Sequence, residues 1–214
     1  MLEQKTMVAK ACFEMIQSNT IIGIGTGSTV EAFVSLLDNR SCTYISSSER
    51  TTSVMKKKGF EVVSANDVSY LDIYIDGTDA VTDDFLLIKG AGGAMTQEKL
   101  LANMARVFVV IADESKYHQN LQDIPCPVEV IQSARSFCAR QIRAMGAIPS
   151  YRFGSKTDQG HDIIDVYGFS YAEPVALEER LNHIPGVLDS GLFAKRRPDH
   201  VFIAKGAQVQ HWVR

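Results

Sequence analysis

The chain has 214 residues, is 45% apolar, and carries a formal net charge of −3 with a pI near 6.0. That length suits one large domain or a domain with a small satellite. The charge leaves no electrostatic footprint for nucleic acid or an anionic membrane surface, and no apolar run reaches the ~18 residues that a membrane span needs. Lys56-Lys57-Lys58 is a short run that suits a solvated helix end. Four cysteines stand at positions 12, 42, 126 and 138, with no C-x-x-C pair, so reduced thiols in a cytoplasmic compartment are expected. Glu3, Lys5, Lys10 and Glu14 run through the first helical stretch, which is no secretory signal.

Residues 3–18 carry Val8, Cys12 and Met15 at helical spacing. Thr20–Ile24 reads as a strand that ends in Gly25-Thr26-Gly27-Ser28-Thr29. Val30, Phe33, Val34 and Leu37 then follow an i, i+3, i+4, i+7 pattern and predict a helix. Cys42–Ile45 is the next strand, residues 50–58 a helix stopped at Gly59, and Phe60–Val63 a short strand. Leu71–Ile75 is another strand, ending in Asp76-Gly77-Thr78-Asp79. Phe85–Ile88 pairs with it as a hairpin or lies beside it. A helix over about 94–105 buries the stripe Ala94, Glu98, Leu101 and Ala105. Val107–Ile111 is wholly apolar and rich in β-branched residues, as suits a strand covered on both faces, and it ends in Ala112–Lys116. Strands and helices alternating in this way predict a mostly parallel α/β sheet.

Pro125-Cys126-Pro127 interrupts the pattern and marks a candidate domain boundary. Beyond it, Val128–Ile131 is strand-like and 134–145 helical. Ser150–Phe153 and Ile163–Tyr167 are two strands, 173–183 is helical, and Val187–Phe193 is a last strand. This β-α-β-β-α-β order is ferredoxin-like. The tail, His200–Ala204 and Gln208–Val213, can return to the large sheet. The division expected is therefore 1–126 plus 198–214 as a Rossmann-like catalytic domain, and 127–197 as a small ferredoxin-like α+β domain.

Chemistry gathers in four polar loops after apolar strands: Gly25–Thr29, Asp76–Asp79, Lys89–Gly93 and Ala112–Lys116. Ligands in open α/β sheets bind at the carboxyl ends of the strands, so a shared site is expected there. Glu98 is a carboxylate on an otherwise apolar stripe, costly to bury unless paired, and Lys89 is the partner the sequence offers. A desolvated carboxylate beside a lysine and a glycine turn rich in bare N–H groups is what removal of a carbon-bound proton needs. A solvated helix-start Glu beside a structural turn is the plainer alternative. Gly25–Thr29, at a helix start, suits a phosphate dianion or simple capping by Ser28 or Thr29.

Named motifs fit poorly. A dinucleotide fingerprint beginning at Gly23 ends on Ser28 instead of glycine, although Glu49 stands where a ribose-binding acid would. The G-K-[ST] of a Walker A loop is absent. Asp76-Gly77-Thr78-Asp79 resembles D-x-D-G-T, but Tyr74 occupies the nucleophile position. Asp83 and Asp84 nearby raise a divalent-metal alternative, which has no histidine at ligand spacing. The five histidines are dispersed, and Trp212 suits packing.

The four loops, in that order, together resemble type A ribose-5-phosphate isomerase. The likeness extends through Pro127-Val128-Glu129-Val130, Thr157-Asp158-Gln159-Gly160, Ile184-Pro185-Gly186-Val187 and Gly191-Leu192-Phe193. The resemblance implies reversible conversion of D-ribose 5-phosphate to D-ribulose 5-phosphate in the non-oxidative branch of the pentose phosphate pathway. It implies no metal and no cofactor, a small sugar phosphate as partner, and a homodimer or homotetramer.

The family's glutamate base falls on Glu98, its lysine on Lys89, and its paired aspartates on Asp76 and Asp79. Its sugar-phosphate loop falls on Thr26, Gly27, Ser28 and Thr29. Further substrate contacts fall on Gly77, Thr78, Gly90, Ala91, Gly92, Lys116 and the N-terminal Lys5. The family usually reads D-G-A-D-E, whereas Thr78 and Ala80 stand here for the Ala and the Glu. Two other classes compete. A sugar-phosphate sensor would keep Gly25–Thr29 without needing Glu98. An amino-sugar phosphate deaminase would need a histidine in its acid–base set.

Overall fold

The computed structural model describes residues 2–38 and 41–214. They fall into two units. The first takes the chain up to Thr78, Gln97–Tyr117 and Pro198–Arg214; the second takes Asp79–Thr96 and His118–Arg197. The second unit thus begins at His118 instead of after residue 126, and it also holds the segment 79–96.

In the first unit, a six-stranded sheet is built from β1 (Ile21–Ile24), β2 (Thr43–Ser46), β3 (Leu71–Asp76), β6 (Ala105–Asp113), β12 (His200–Lys205) and β13 (Gln208–Val213). Its order is β13-β12-β6-β3-β1-β2, and every pairing is parallel except that of β12 with the edge strand β13. The tail returns to this sheet as expected. Strand pleat sends Ile22, Ile24, Ile73, Ile75, Val109 and Ile111 to one face. There they meet Val8, Ala9 and Cys12 of α1 (Leu2–Phe13) and Val30, Phe33 and Val34 of α2 (Ser28–Leu36). The opposite face carries Gly23, Tyr74, Phe108 and Val110 by the same alternation. Helix α3 (Glu49–Lys57) is capped by Ser48, whose side chain accepts from the Thr51 N–H.

Two expected spans are shorter. Helix α1 stops at Phe13, and Asn19 sits at a φ of 59° in the turn before β1. Phe60–Val63 forms only a single parallel bridge from Val62 to Tyr44, because a Ser64–Asp67 capping box then starts a 3-10 turn at Ala65–Asp67.

The second unit holds the ferredoxin-like order. Strands β7 (Cys126–Val130), β8 (Ile148–Tyr151), β9 (Asp162–Tyr167) and β10 (Val187–Ser190) form an antiparallel sheet ordered β10-β7-β9-β8. Cys138 and Ile142 of α5 (Arg135–Ala144), with Leu177 and Leu181 of α6 (Pro174–Asn182), pack on Val128, Val130, Ile164 and Val166. A separate three-stranded sheet joins β4 (Ala80–Val81), β5 (Leu87–Ile88) and β11 (Leu192–Phe193). The run at 85–88 therefore pairs with β4 and β11, and not with β3. The expected strand 187–193 breaks at Gly191, where a Cβ would come within 2.0 Å of the Lys89 carbonyl oxygen. Helix α4 (Met95–Met104) begins in this unit and continues in the first from Gln97. Among the described residues, no helix is long and apolar enough to cross a membrane.

Candidate active site

The first unit contains a topological switch. The chain leaves β1 for β2 on one side, then crosses to β3 on the other, so the carboxyl ends of β1 and β3 diverge into a crevice. The Gly25–Thr29 and Asp76–Asp79 loops begin there, and the Asp113–Lys116 segment leaves the same edge after β6. The Lys89–Gly93 loop does not belong to this edge, since it follows β5 of the three-stranded sheet.

One glycine on β1 and another just past its end make room for two side chains on β3. Gly23 is paired with Tyr74 across the sheet, and a Cβ on it would meet the Tyr74 ring at 2.7 Å. A Cβ on Gly25 would lie 1.9 Å from Oδ1 of Asp76. The Gly23-x-Gly25 spacing that resembles a dinucleotide fingerprint thus answers to the bulk of Tyr74 and Asp76. Asp76 is 0% exposed, and its carboxylate is held on both oxygens. Oδ1 accepts from the N–H groups of Thr26 (3.0 Å) and Gly77 (2.7 Å), and Oδ2 accepts from the Tyr74 hydroxyl. Burial pushes the Tyr74 pKa well above its usual range. The charges of Asp76 and Glu98 and the hydrogen bond to Asp76 push the same way, while the adjacent Ser47 hydroxyl opposes them. The phenol therefore keeps its proton.

Glu98 is 2% exposed and Leu101 of the same helix is buried with it, whereas Ala94 and Ala105, also buried, lie just outside α4, before its start and at the head of β6. The Gly25–Thr29 loop is wetter: Thr26 and Gly27 are half-buried and Ser28 is exposed. The helix cap is Gly27, which has no side chain, so neither Ser28 nor Thr29 fills the capping position. Lys5 of α1 reaches this loop and donates from Nζ to the Ser28 hydroxyl at 2.7 Å. Lys116 ends the 3-10 turn that follows β6, half-buried; its preceding Asp113 side chain accepts from the Ser115 N–H. Thr78 is buried and Gly77 half-buried.

In the second unit, Lys89 is 2% exposed, and its ammonium lies 5.8 Å from the centroid of the Phe193 ring. Its own N–H donates to the Gly191 carbonyl at 2.9 Å. The turn that follows is tightly specified. Gly90 and Gly93 have φ of 101° and 78°, the Ala91 N–H donates to Oδ2 of Asp79 (2.8 Å), and the Gly93 N–H donates to the Gly90 carbonyl (3.0 Å). The N–H groups of Ala91 and Gly93 are thus engaged, one by Asp79 and one within the turn. Arg152 donates to the carbonyls of Gly90 (3.2 Å) and Ala91 (3.0 Å) and is itself gripped by Asp165. Asp79 is half-buried, while Ala91 and Gly92 are exposed.

Tyr74 and Arg152, which brace these loops, are not among the candidate site residues that the sequence offers. Tyr74 had a signal: it stands two before Asp76 on a strand, hence on the same face, opposite a Gly-x-Gly strand. Arg152 had none, because its tie to the glycine turn is 62 residues long in sequence.

A parallel sheet with acid–base side chains at its switch point is the architecture of an α/β enzyme. Comparison with known proteins goes further. Residues 43–208 match the family described as ribose 5-phosphate isomerase A (phosphoriboisomerase A). Ribose-5-phosphate isomerase A of Legionella pneumophila is 44% identical, with 99% of each chain covered. The crystal structure of ribose 5 phosphate isomerase A from Neisseria gonorrhoeae superposes with a TM-score of 0.96 at 38% identity, covering 99% of this chain and 96% of the other. A D-ribose-5-phosphate isomerase solved in complex with phospho-erythronic acid gives a TM-score of 0.95 at 31% identity, covering 99% and 98%. The chain belongs to the ribose 5-phosphate isomerase A family, and it is an aldose–ketose isomerase.

Proposed function

We propose that the chain interconverts D-ribose 5-phosphate and D-ribulose 5-phosphate through a cis-enediolate, with Glu98 as the general base. The observation that carries this reading is a nearly inaccessible glutamate on an apolar helix face, close enough for its charge to act on Tyr74, the phenol that donates to Asp76. The phospho-erythronic acid bound by a relative, a phosphorylated sugar acid, supports the substrate class.

The furanose must open first. The C1–O4 bond breaks, O1 gives up its proton and O4 gains one, and Asp76 carries this exchange with assistance from Asp79, the more exposed of the two. Glu98 then takes the C2 proton. Lys89 and the glycine turn stabilise the developing oxyanion; Gly90 and Gly92 are the amides of that turn not engaged in the bonds to Asp79 and Gly90. A proton passes from O2 to O1, and Glu98 returns its proton to C1. Thr26–Thr29, Lys5 and Lys116 hold the substrate, chiefly through its phosphate.

The test is a direct assay for ribulose 5-phosphate formed from ribose 5-phosphate, run with and without a chelator. Formation in both is expected, because lysine and backbone donors fill the electrophilic role. Loss on chelation, restored by a divalent ion, would instead make Asp76, Asp79 and Asp83 metal ligands.

A further inference from the structure

Tyr74 lies outside every role assigned so far, yet the strand architecture is arranged around it. Its ring stacks on Phe108, its cross-strand partner, with centroids 5.3 Å apart and planes 22° from parallel. Gly23 opposite it leaves the space the ring fills. The side chain is completely buried, and its hydroxyl donates to Oδ2 of Asp76. The two backbone donors to Asp76 both act on Oδ1, whereas the phenol acts on Oδ2. One of those backbone donors is Thr26, within the loop assigned to the phosphate. A buried carboxylate without such donors is costly, and charge-assisted hydrogen bonds are what set its orientation.

We propose that Tyr74 is a positioning residue for the ring-opening step, holding the Asp76 carboxylate in the orientation from which it exchanges protons with the sugar. This rests on the isomerase reading and assigns Tyr74 no contact with substrate. It separates the ring step from the enediolate step, and the substrates allow the two to be read apart. Ribose 5-phosphate must open its furanose before C2 can be deprotonated. Ribulose 5-phosphate has its O5 esterified and cannot close a furanose, so its C1 hydrogen reaches Glu98 with no ring step.

The experiment uses Tyr74→Phe, which keeps the stacked ring and removes only the hydroxyl. Two rates are measured in deuterium oxide: net isomerisation, and exchange of the C1 hydrogen of ribulose 5-phosphate with solvent. Isomerisation is expected to fall by about 10–100-fold, the range for a lost hydrogen bond to a charged group, with exchange near wild type. Phe108→Leu, which disturbs the stack and spares the hydroxyl, is expected to leave the ratio of the two rates unchanged. Equal loss of both rates in Tyr74→Phe, or loss of neither, overturns the proposal. Should that variant fail to fold, Tyr74→His, a smaller ring that can also donate, is read instead. Retention of both rates to within about tenfold supports the proposal, and equal larger losses overturn it. Glu98→Gln, run beside them, is expected to lose both isomerisation and exchange; if it keeps exchange, the base assignment fails independently of Tyr74.

Discussion

The loops that leave β1 and β3 start side by side on one sheet edge, yet the most exposed side chain of the first and the most enclosed of the second stand at opposite extremes, a wet side at Ser28 and a dry side at Asp76. Ser28 is exposed and tied to a flexible lysine, whereas Asp76 is wholly enclosed and tied to a phenol that cannot ionise near neutral pH. Under the proposed mechanism the difference separates two kinds of work. A phosphate dianion is held by several donors at a solvated rim, each replaceable at modest cost. Proton transfer depends on charges in a low-dielectric setting, where position and protonation state are close to all-or-none. Side chains on the dry side should therefore show much steeper mutational effects than those on the wet side.

The largest effect is expected at Glu98→Gln. The amide preserves shape and removes the base, so turnover should fall by ~10²–10⁴-fold. Binding of the sugar phosphate, measured by calorimetry, should survive. Near-wild-type turnover would remove Glu98 from the mechanism and with it the contrast between the loops.

Gly25→Ala sharpens the comparison, because this residue belongs to the wet loop but faces the dry one. Its methyl group would lie 1.9 Å from Oδ1 of Asp76, so the carboxylate must move. Overpacking of this kind costs about 1–3 kcal/mol of stability. A displaced acid–base group costs turnover on the order of 100-fold. A melting curve and kcat for the same variant read both. If KM rises instead while kcat holds, Gly25 acts through the phosphate loop alone.

The sequence exposes the two sides unequally. The strand ends, the Gly25–Thr29 and Asp76–Asp79 loops, the buried stripe of Glu98 and the ferredoxin-like order all follow from local patterns of period 2 or 3.6. Phe85–Ile88 reads as apolar but pairs with β4 and β11 instead of β3, and Val187–Phe193 reads as one strand but divides at Gly191 between two sheets. Which sheet a short strand joins depends on contacts distant in sequence, such as Leu192 with Ile88. The site shows the same limit. Each carboxylate is visible one by one, but the Gly23-x-Gly25 spacing looks like a ligand motif until Tyr74 is seen to fill it.

At the residues assigned to the phosphate, the buried Thr29 and the half-buried Lys116, Thr29→Ala and Lys116→Ala are expected to raise KM for ribose 5-phosphate by roughly tenfold, the scale of one charge-assisted hydrogen bond. Unphosphorylated ribose should be almost unaffected. Some kcat loss is also expected, since remote phosphate binding helps hold the reacting carbons. Equal losses on both substrates would show that Gly25–Thr29 is not the phosphate loop.

Lys5→Ala should have the smallest effect. Lys5 touches the loop through one exposed hydrogen bond, from Nζ to the Ser28 hydroxyl. An exposed charge on a long side chain contributes about 1 kcal/mol or less, because water competes for it and holding the chain costs entropy. KM for ribose 5-phosphate should rise only a few-fold, roughly fivefold at most, with kcat unchanged. Salt should erase the difference between variant and wild type, since an exposed charge is screened over about 8–10 Å at ordinary ionic strength. The measurement is KM for both proteins at low and high salt. A loss of kcat that persists in high salt would move Lys5 from the solvated rim to the buried side of the comparison. Its hydrogen bond to Ser28 would then be holding the helix start in register with Asp76 through Thr26, which donates to that carboxylate.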